Sequence, residues 1–599
     1  MANKALPKRQ EVPEEFTWNL SDIFESDEAW NRENEALKAM PEKIAAYQGH
    51  LGGSAEELLS FFKLDDELSV RLGKLYGYAH CKSDQDTANG FYQDMRGKAM
   101  NTLVAISSAA AFAAPEIMAI DEDTLTLFYV AQPELETYRR SIYSIRRRAA
   151  HILSPAEERL LAAAGEMANS PDSIGSTLRN ADLKFSPAVD SQGEEHLLTS
   201  GTYGLLLQSE DRTLRRSAFE NTYGRMDEFK NTIAATLDAQ FKQLRFFADA
   251  RQYPSTLAAA LDGNEVPEQV YLSLIEAVHQ NLDKMYRYVA LRKKLLGVDE
   301  LHMYDVYAPL IDDAEEEIRY EQAKEIVLEA LQVLGEDYVG YLQEGFNNRW
   351  IDVYENEGKC GGAYSSGSAW PHPYVLLNHK DNLISLFTLA HEMGHALHSY
   401  YSCKNQPVNT SDYVIFVAEV ASTCNEILLM RHLLSKPMDK AKRAALINHF
   451  LEEFKGTVFR QTMFAEFELE MGRMAERGET LTSDTLSPKY YELNKLYFGT
   501  DMVSDEPIAL EWTRIPHFFY DYYVFQYATG FCAAVALADR ILSEGEPAVA
   551  DYKKFLSGGS STDPISLLKI AGVDMSSPAP VNEALKLFEE LVEELESLT

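Results

Sequence analysis

The stretch LFTLAHEMGHALHSYY (residues 386–401) carries two histidines four positions apart, His391 and His395, with Glu392 directly after the first. On an α-helix, positions i and i+4 share one face, one turn apart. Two imidazoles so placed reach a single ion at zinc-ligand distance. Glu392 lies one step round the helix, where it meets water on the metal rather than the metal itself. That is the position of a general base in metal-assisted hydrolysis. The preceding run LISLFTLA is strongly apolar and predicts a buried helix. Buried histidines and a buried glutamate are costly unless something satisfies them, and a metal ion does.

A catalytic zinc takes three protein ligands and leaves a fourth position for water. His398 lies near the same face but two turns along from His391, too far to share the ion, so it is read as a supporting or core histidine. The segment DYVIFVAEVASTCNEILL (412–429) offers a better third ligand. Glu419 follows His395 by enough residues for a helix, a turn and a returning helix, and it interrupts an apolar stripe. A buried carboxylate needs a cation or a donor. Glu426, seven residues on, is placed to accept a hydrogen bond from a ligand histidine.

Hydrolysis also needs donors for a developing oxyanion. RIPHFFYDYYVFQYATG (514–530) concentrates His517, Tyr520, Tyr522, Tyr523 and Tyr527. Tyr520, Tyr523 and Tyr527 are spaced as a helical stripe, i, i+3 and i+7. Buried hydroxyls want partners, so this reads as more than aromatic packing.

The remainder of the chain sets the context. Its 599 residues predict more than one lobe. A net charge of −37 repels phosphate and anionic lipid, which argues against nucleic-acid or membrane-surface binding; the acidic balance reads first as solubility, and a cavity favouring cationic ligands is the lesser reading. Five widely spaced cysteines without a C-x-x-C predict a reducing compartment. The start MANKALPKRQEVPEEF has no apolar run after its basic residues, so no secretory signal is expected. AISSAAAFAAPEIMAI (105–120) reads as a packed helix, and the expected location is cytoplasmic.

Most of the pattern is helical. LSPAEERLLAAAG (153–165) carries a capping box, with Ser154 at the cap, Pro155 at the first helical position and Glu157 three residues in. Around 184–208, short apolar runs flank DSQG and predict a hairpin. A boundary there gives an N-terminal helical lobe, 1–195, and a catalytic region that carries the metal motif, 196–599. Residues 350–379 read as loops with one or two strands, YVLLN among them. The tail VNEALKLFEELVEELESLT reads as an amphipathic helix with a solvated acidic face.

These residues resemble the thimet-oligopeptidase family of zinc peptidases, in its oligoendopeptidase F branch. The resemblance rests on EEFTWNLSDIF (14–24), MYDVYAPL (303–310), GGAYSSGSAWPHPYVLLN (361–378), FTLAHEMGHALHSYY (387–401) and FVAEVASTCNE (416–426). It implies one Zn2+ per chain on His391, His395 and Glu419, with Glu392 activating water. It implies substrate contacts from a downstream histidine, matched by His517, and from tyrosines. The family's tyrosine pattern aligns on Tyr520, Asp521 and Tyr527, and its middle tyrosine falls on Val524, with Tyr522 or Tyr523 as the substitute. The implied fold is mainly α, two helical lobes around a deep substrate channel with a small β element near the active site. Such a channel admits unfolded oligopeptides and excludes folded proteins. YVLLN is the strand expected to pair with a substrate backbone.

The reading is a zinc endopeptidase for short oligopeptides, with no nucleic-acid or membrane partner and an open oligomeric state. The alternatives are a zinc exopeptidase, for which the amine-binding G-x-M-E-N stretch is missing, and a non-catalytic peptide-binding protein stabilised by metal. The latter expects four protein ligands, where three are found.

Overall fold

Capped amphipathic segments fold into a mainly α-helical protein. A computed structural model describes residues 6–311, 317–367 and 371–599. The expectations attached to residues 1–5 and to 368–370 of the GGAYSSGSAW segment lie outside the described residues. Ser154 caps the helix Pro155–Ala168, and the Glu157 carboxylate accepts the Ser154 N–H at 3.0 Å, completing the box. Seven short strands occur among the described residues: β1 (Ala188–Val189), β2 (Glu195–His196), β3 (Leu301–His302), β4 (Ile351–Asp352), β5 (Tyr364–Ser366), β6 (Tyr374–Leu376) and β7 (Met502–Val503). The hairpin expected at 184–208 is β1 with β2, antiparallel, pairing Ala188 with His196.

The chain forms two compact units, each gathered from separated stretches. Unit 1 is Met1–Ala149, Glu315–Leu433 and Leu537–Gly572; unit 2 is Ala150–Ala314, Leu434–Ala536 and Val573–Thr599. Packing rather than sequence order defines them.

In unit 1 the N-terminal helices bury Trp30, Phe61, Phe62, Leu75 and Tyr78 in one core, and Tyr374 and Leu376 of β6 join it. The Trp30 indole N–H donates to the Leu75 carbonyl at 2.8 Å, so the ring is buried without leaving a donor unpaired. Strand β6 is the centre of a three-stranded sheet. It runs parallel to β4 (Ile351 opposite Val375) and antiparallel to β5 (Ser365 opposite Val375). Both its edges are used, which overturns the expectation that YVLLN receives a substrate strand.

The stretch 105–120 is not one packed helix either. One helix ends at Ala110 and another spans Ala113–Ala119, with Pro115 in its first turn, where its missing N–H leaves no bond unmade. Met100 and Val104, on the first of these helices, are exposed. The span Gly90–Ala119 is, among the described residues, the one long and apolar enough by length and composition to cross a membrane.

Unit 2 is built on the helix Arg212–Ala250, capped by the Asp211 carboxylate, which accepts the N–H groups of Thr213 and Leu214. The helix Leu282–Leu296 ends at Gly297, whose φ of +63° is open to glycine without strain. The C-terminal helix Ala579–Leu598 buries Leu585, Phe588 and Leu595, and Phe588 packs on Phe454 and Phe459. Its acidic face is more than a solvated one. Arg287 bridges Glu593 and Glu596, and Lys284 lies 3.3 Å from Glu589.

Candidate metal centre

Two helices of unit 1 carry the motif. The first, Leu383–Asn405, is capped by Asn382, whose side chain accepts the Ser385 N–H. Leu386, Leu389, Ala390, Met393, Ala396 and Leu397 are all buried, so the helix is apolar nearly all round, as interior helices are. The second, Ile415–Ser435, is equally buried at Val417, Val420, Ala421, Cys424 and Leu428. They touch at Gly394. A Cβ there would lie 2.6 Å from Ser422 Cα and 2.8 Å from the Ala421 carbonyl oxygen, both backbone atoms. Only a residue without a side chain permits that approach.

Register is fixed by Asn425, fully buried. Its amide N–H donates to the Ala390 carbonyl at 3.1 Å, and its oxygen accepts the Tyr338 hydroxyl at 3.0 Å. Ala390 immediately precedes His391, so this bond ties the second helix to the start of the motif. Sequence reading missed both Gly394 and Asn425. The signal available was the small pair Ala421–Ser422 and one amide inside an apolar stripe.

The result is a tight cluster. His391 Nε2 and His395 Nε2 each lie 3.3 Å from the same Glu419 oxygen, Oε2. The ligand atoms of the three residues all fall within 4.8 Å of one another. Ser422 donates to that same Glu419 oxygen at 3.2 Å, fixing the carboxylate. His391 Nδ1 lies 3.2 Å from Glu426 Oε2, the partner expected to orient the ring. Two nitrogens and one oxygen, converging with a second carboxylate behind one imidazole, fit a borderline divalent cation such as zinc.

Without an ion, the two histidines and the carboxylates pair with one another. Burial alone pushes the Glu419 carboxyl up, but hydrogen bonds and charge from His391 and His395 outweigh it and hold it well below the usual range. Burial pushes His391 down, and the Glu426 charge with the Glu419 hydrogen bond raises it well above the ordinary imidazole value. Glu392 is buried, and its Oε2 has no partner. Burial raises its pKa, opposed by both histidines. His398 is fully buried and stacked on Tyr413, ring centroids 3.8 Å apart, and neither ring nitrogen is bonded. It is a core histidine.

The downstream residues form a second group, within unit 2. The His517 ring lies 5.5 Å from Tyr520 and 6.0 Å from Tyr527, edge-on to both. Burial lowers the His517 pKa. The helical stripe is not formed. Asp521 and Tyr522 both have positive φ, and the helix starts only at Phe525. Tyr522 turns inward, its hydroxyl 2.8 Å from Thr256 Oγ1, which removes it as a substitute donor. Tyr523 packs against Tyr527.

Comparison with known proteins then places the chain. Residues 205–587 match the model of peptidase family M3, and 116–185 match a second model, described as oligopeptidase F. The chain is 49% identical over 593 residues to oligopeptidase PepF of Bacillus subtilis, covering 99% of this chain and 88% of that one. It is 40% identical to the group B oligopeptidase PepB of Streptococcus agalactiae, covering 98% of each. Among solved structures it resembles oligoendopeptidase F of Enterococcus faecium at 38% identity and a TM-score of 0.74, covering 96% of this chain and 99% of that one.

Proposed function

The chain belongs to peptidase family M3, and from that premise we propose that it is a zinc endopeptidase cutting internal bonds of short, unfolded oligopeptides in the cytoplasm. It is a metallopeptidase, and peptides are its substrates. The finer reading is carried by one observation: two imidazole nitrogens converge at 3.3 Å on a single carboxylate oxygen. His391, His395 and Glu419 would hold the ion. A divalent cation there supplies Lewis-acid chemistry, polarising a carbonyl and acidifying water.

The chain's own groups do the rest. Glu392 takes a proton from the attacking water and returns it to the leaving amine. Its burial raises its proton affinity towards the working pH, which suits a base that must also act as an acid. Glu426 accepts from His391 Nδ1 and fixes that ring's tautomer. His517, held neutral at pH 7 by burial, and the hydroxyl of Tyr520 or Tyr527 donate to the carbonyl oxygen as charge develops. With β6 paired on both sides, the edges are β4 and β5; next to β4 the Val353 N–H already donates to the Phe16 carbonyl at 2.9 Å, which leaves β5 to receive a substrate backbone. Main-chain pairing there gives affinity with little sequence preference.

The test combines metal analysis with a quenched peptide of about ten residues, blocked at both ends, a length set by the reach of an extended chain. One zinc per chain and cleavage at an internal bond are expected. Chelation should abolish turnover and lower the melting temperature, and zinc should restore both. An intact blocked peptide beside a cleaved free one makes the protein an exopeptidase. Bound zinc without turnover on either peptide makes it a binding protein.

A further inference from the structure

This inference rests on the reading of His517, Tyr520 and Tyr527 as substrate-side groups. Their segment has an unusual backbone. Pro516–Phe519 makes one tight helical turn, and then Asp521 and Tyr522 adopt φ of 53° and 61°. Side chains with a Cβ disfavour that conformation, and it persists only where the surroundings over-determine it.

Three side chains of unit 2 supply that determination. Glu468 Oε1 accepts the Tyr522 backbone N–H at 2.8 Å. The Gln240 amide donates to Asp521 Oδ1 at 2.9 Å and to the Phe519 carbonyl at 3.4 Å. Thr256 Oγ1 meets the Tyr522 hydroxyl at 2.8 Å. The Tyr522 ring enters a socket beside Gly472, where a Cβ would lie 1.8 Å from its hydroxyl.

Glu468 is the exceptional member. It is fully buried, and its second oxygen, Oε2, has no partner. The titratable groups facing it are Asp521 and Tyr522 from the segment and Tyr271 from the helix Glu268–His279. Arg473 and Glu476, farther along its own helix, act on Tyr522. No cation pairs with Glu468 among the described residues. Burial, reinforced by Asp521 and opposed by the Tyr522 N–H, pushes its carboxyl up to about 8, so it is neutral at pH 7.

We propose that Glu468 is a positioning residue: as a neutral carboxylic acid it anchors the Tyr522 amide and so holds the segment that presents His517 and Tyr520, and its ionisation releases that segment. A carboxylate there would be a buried charge without a counterion, with Asp521 alongside. Leaving the pocket relieves it, and the two positive-φ residues lose their anchor.

The test reads the segment directly and the activity separately. Hydrogen exchange of peptides spanning 516–524, corrected for the intrinsic pH dependence, should show wild-type protection falling as pH rises above the ordinary carboxyl value of 4.5 and levelling off near about 8. Glu468→Gln keeps a neutral acceptor that cannot ionise, so protection should persist to high pH. In peptide hydrolysis, this variant should retain activity at pH 7 and extend the alkaline limb of kcat/KM. Glu468→Leu should lose roughly ten- to a hundredfold in kcat/KM at every pH, as for an unpaired buried N–H, with zinc content unchanged. Wild-type protection that stays flat between about pH 5 and 8, or a fall shared by Glu468→Gln, overturns the proposal. If Glu468→Gln fails to fold, the wild-type exchange profile alone still decides. A chain without peptidase activity would sink the functional reading and leave the exchange result standing.

Discussion

At the scale of single residues, Glu392 and His398 show how burial is put to opposite uses. Glu392 sits beside two histidines with an unbonded oxygen, so it can take up and release a proton. Glu392→Gln removes the proton acceptor and leaves His391, His395 and Glu419 in place. Bound metal should be unchanged, and kcat should fall by about two to four orders of magnitude, the usual contribution of a general base. Metal analysis beside steady-state kinetics checks this, and normal turnover would remove Glu392 from the mechanism. His398 is buried where no charge is tolerated, and burial, aided by the His395 imidazole, pushes it down to about 3. An unfolded histidine titrates near 6.5, so below that pH the unfolded chain binds a proton the folded chain refuses. Stability from this group is therefore complete above about pH 6.5 and is lost on acidification towards 3. At pH 5 the loss is about 2 kcal/mol. His398→Phe keeps the stacking on Tyr413 and removes the titration, so its melting temperature should fall less between pH 7 and 5 than the wild type's. An equal fall in both would show that His398 does not contribute.

At the scale of elements, the site is a product of two helices in close contact. Gly394→Ala places a methyl carbon 2.6 Å from Ser422 Cα, and neither backbone can yield without the helices moving apart. Overpacking of this kind costs about 1–3 kcal/mol. Because Glu419 and the histidines sit on opposite sides of that contact, zinc affinity should drop by at least about tenfold, measured by competition with a chelating dye. Unchanged affinity would mean that the contact does not set the ligand geometry. The same scale explains what the sequence disclosed. His391, His395 and Glu392 were legible because helical spacing is local, and Glu419 because a carboxylate interrupts an apolar stripe. The run from Tyr520 to Tyr527 has helical spacing too, yet Asp521 and Tyr522 leave the helix because Glu468, Gln240 and Thr256, distant in sequence, hold them. YVLLN reads as a strand from its composition, but its central place in the sheet is a matter of pairing with β4 and β5, which no local pattern encodes.

At the scale of the whole molecule, the charge balance has a structural basis. Basic side chains are spent on interior acids. Arg9 and Lys359 pair with buried Asp352, Arg212 and Arg215 with buried Asp305, and Arg460 and Arg514 with buried Glu511. Each cluster sets two cations against one acid, and buried acids are few among the described residues, so the net charge of −37 falls mainly on acids that reach the surface. A field of that sign raises the local concentration of cationic peptides and repels anionic ones before any specific contact forms. Salt screens it, with a Debye length of about 30 Å at 0.01 M and about 10 Å at 0.1 M. Two blocked peptides with the same residues around the cut, one ending in lysines and one in glutamates, isolate the effect. At about 0.01 M salt the lysine peptide should have the higher kcat/KM, through its KM, and the ratio should fall towards one at about 0.3 M. A ratio that stays constant with salt would place the preference in direct contacts with the peptide ends, because short-range pairs survive screening that long-range steering does not.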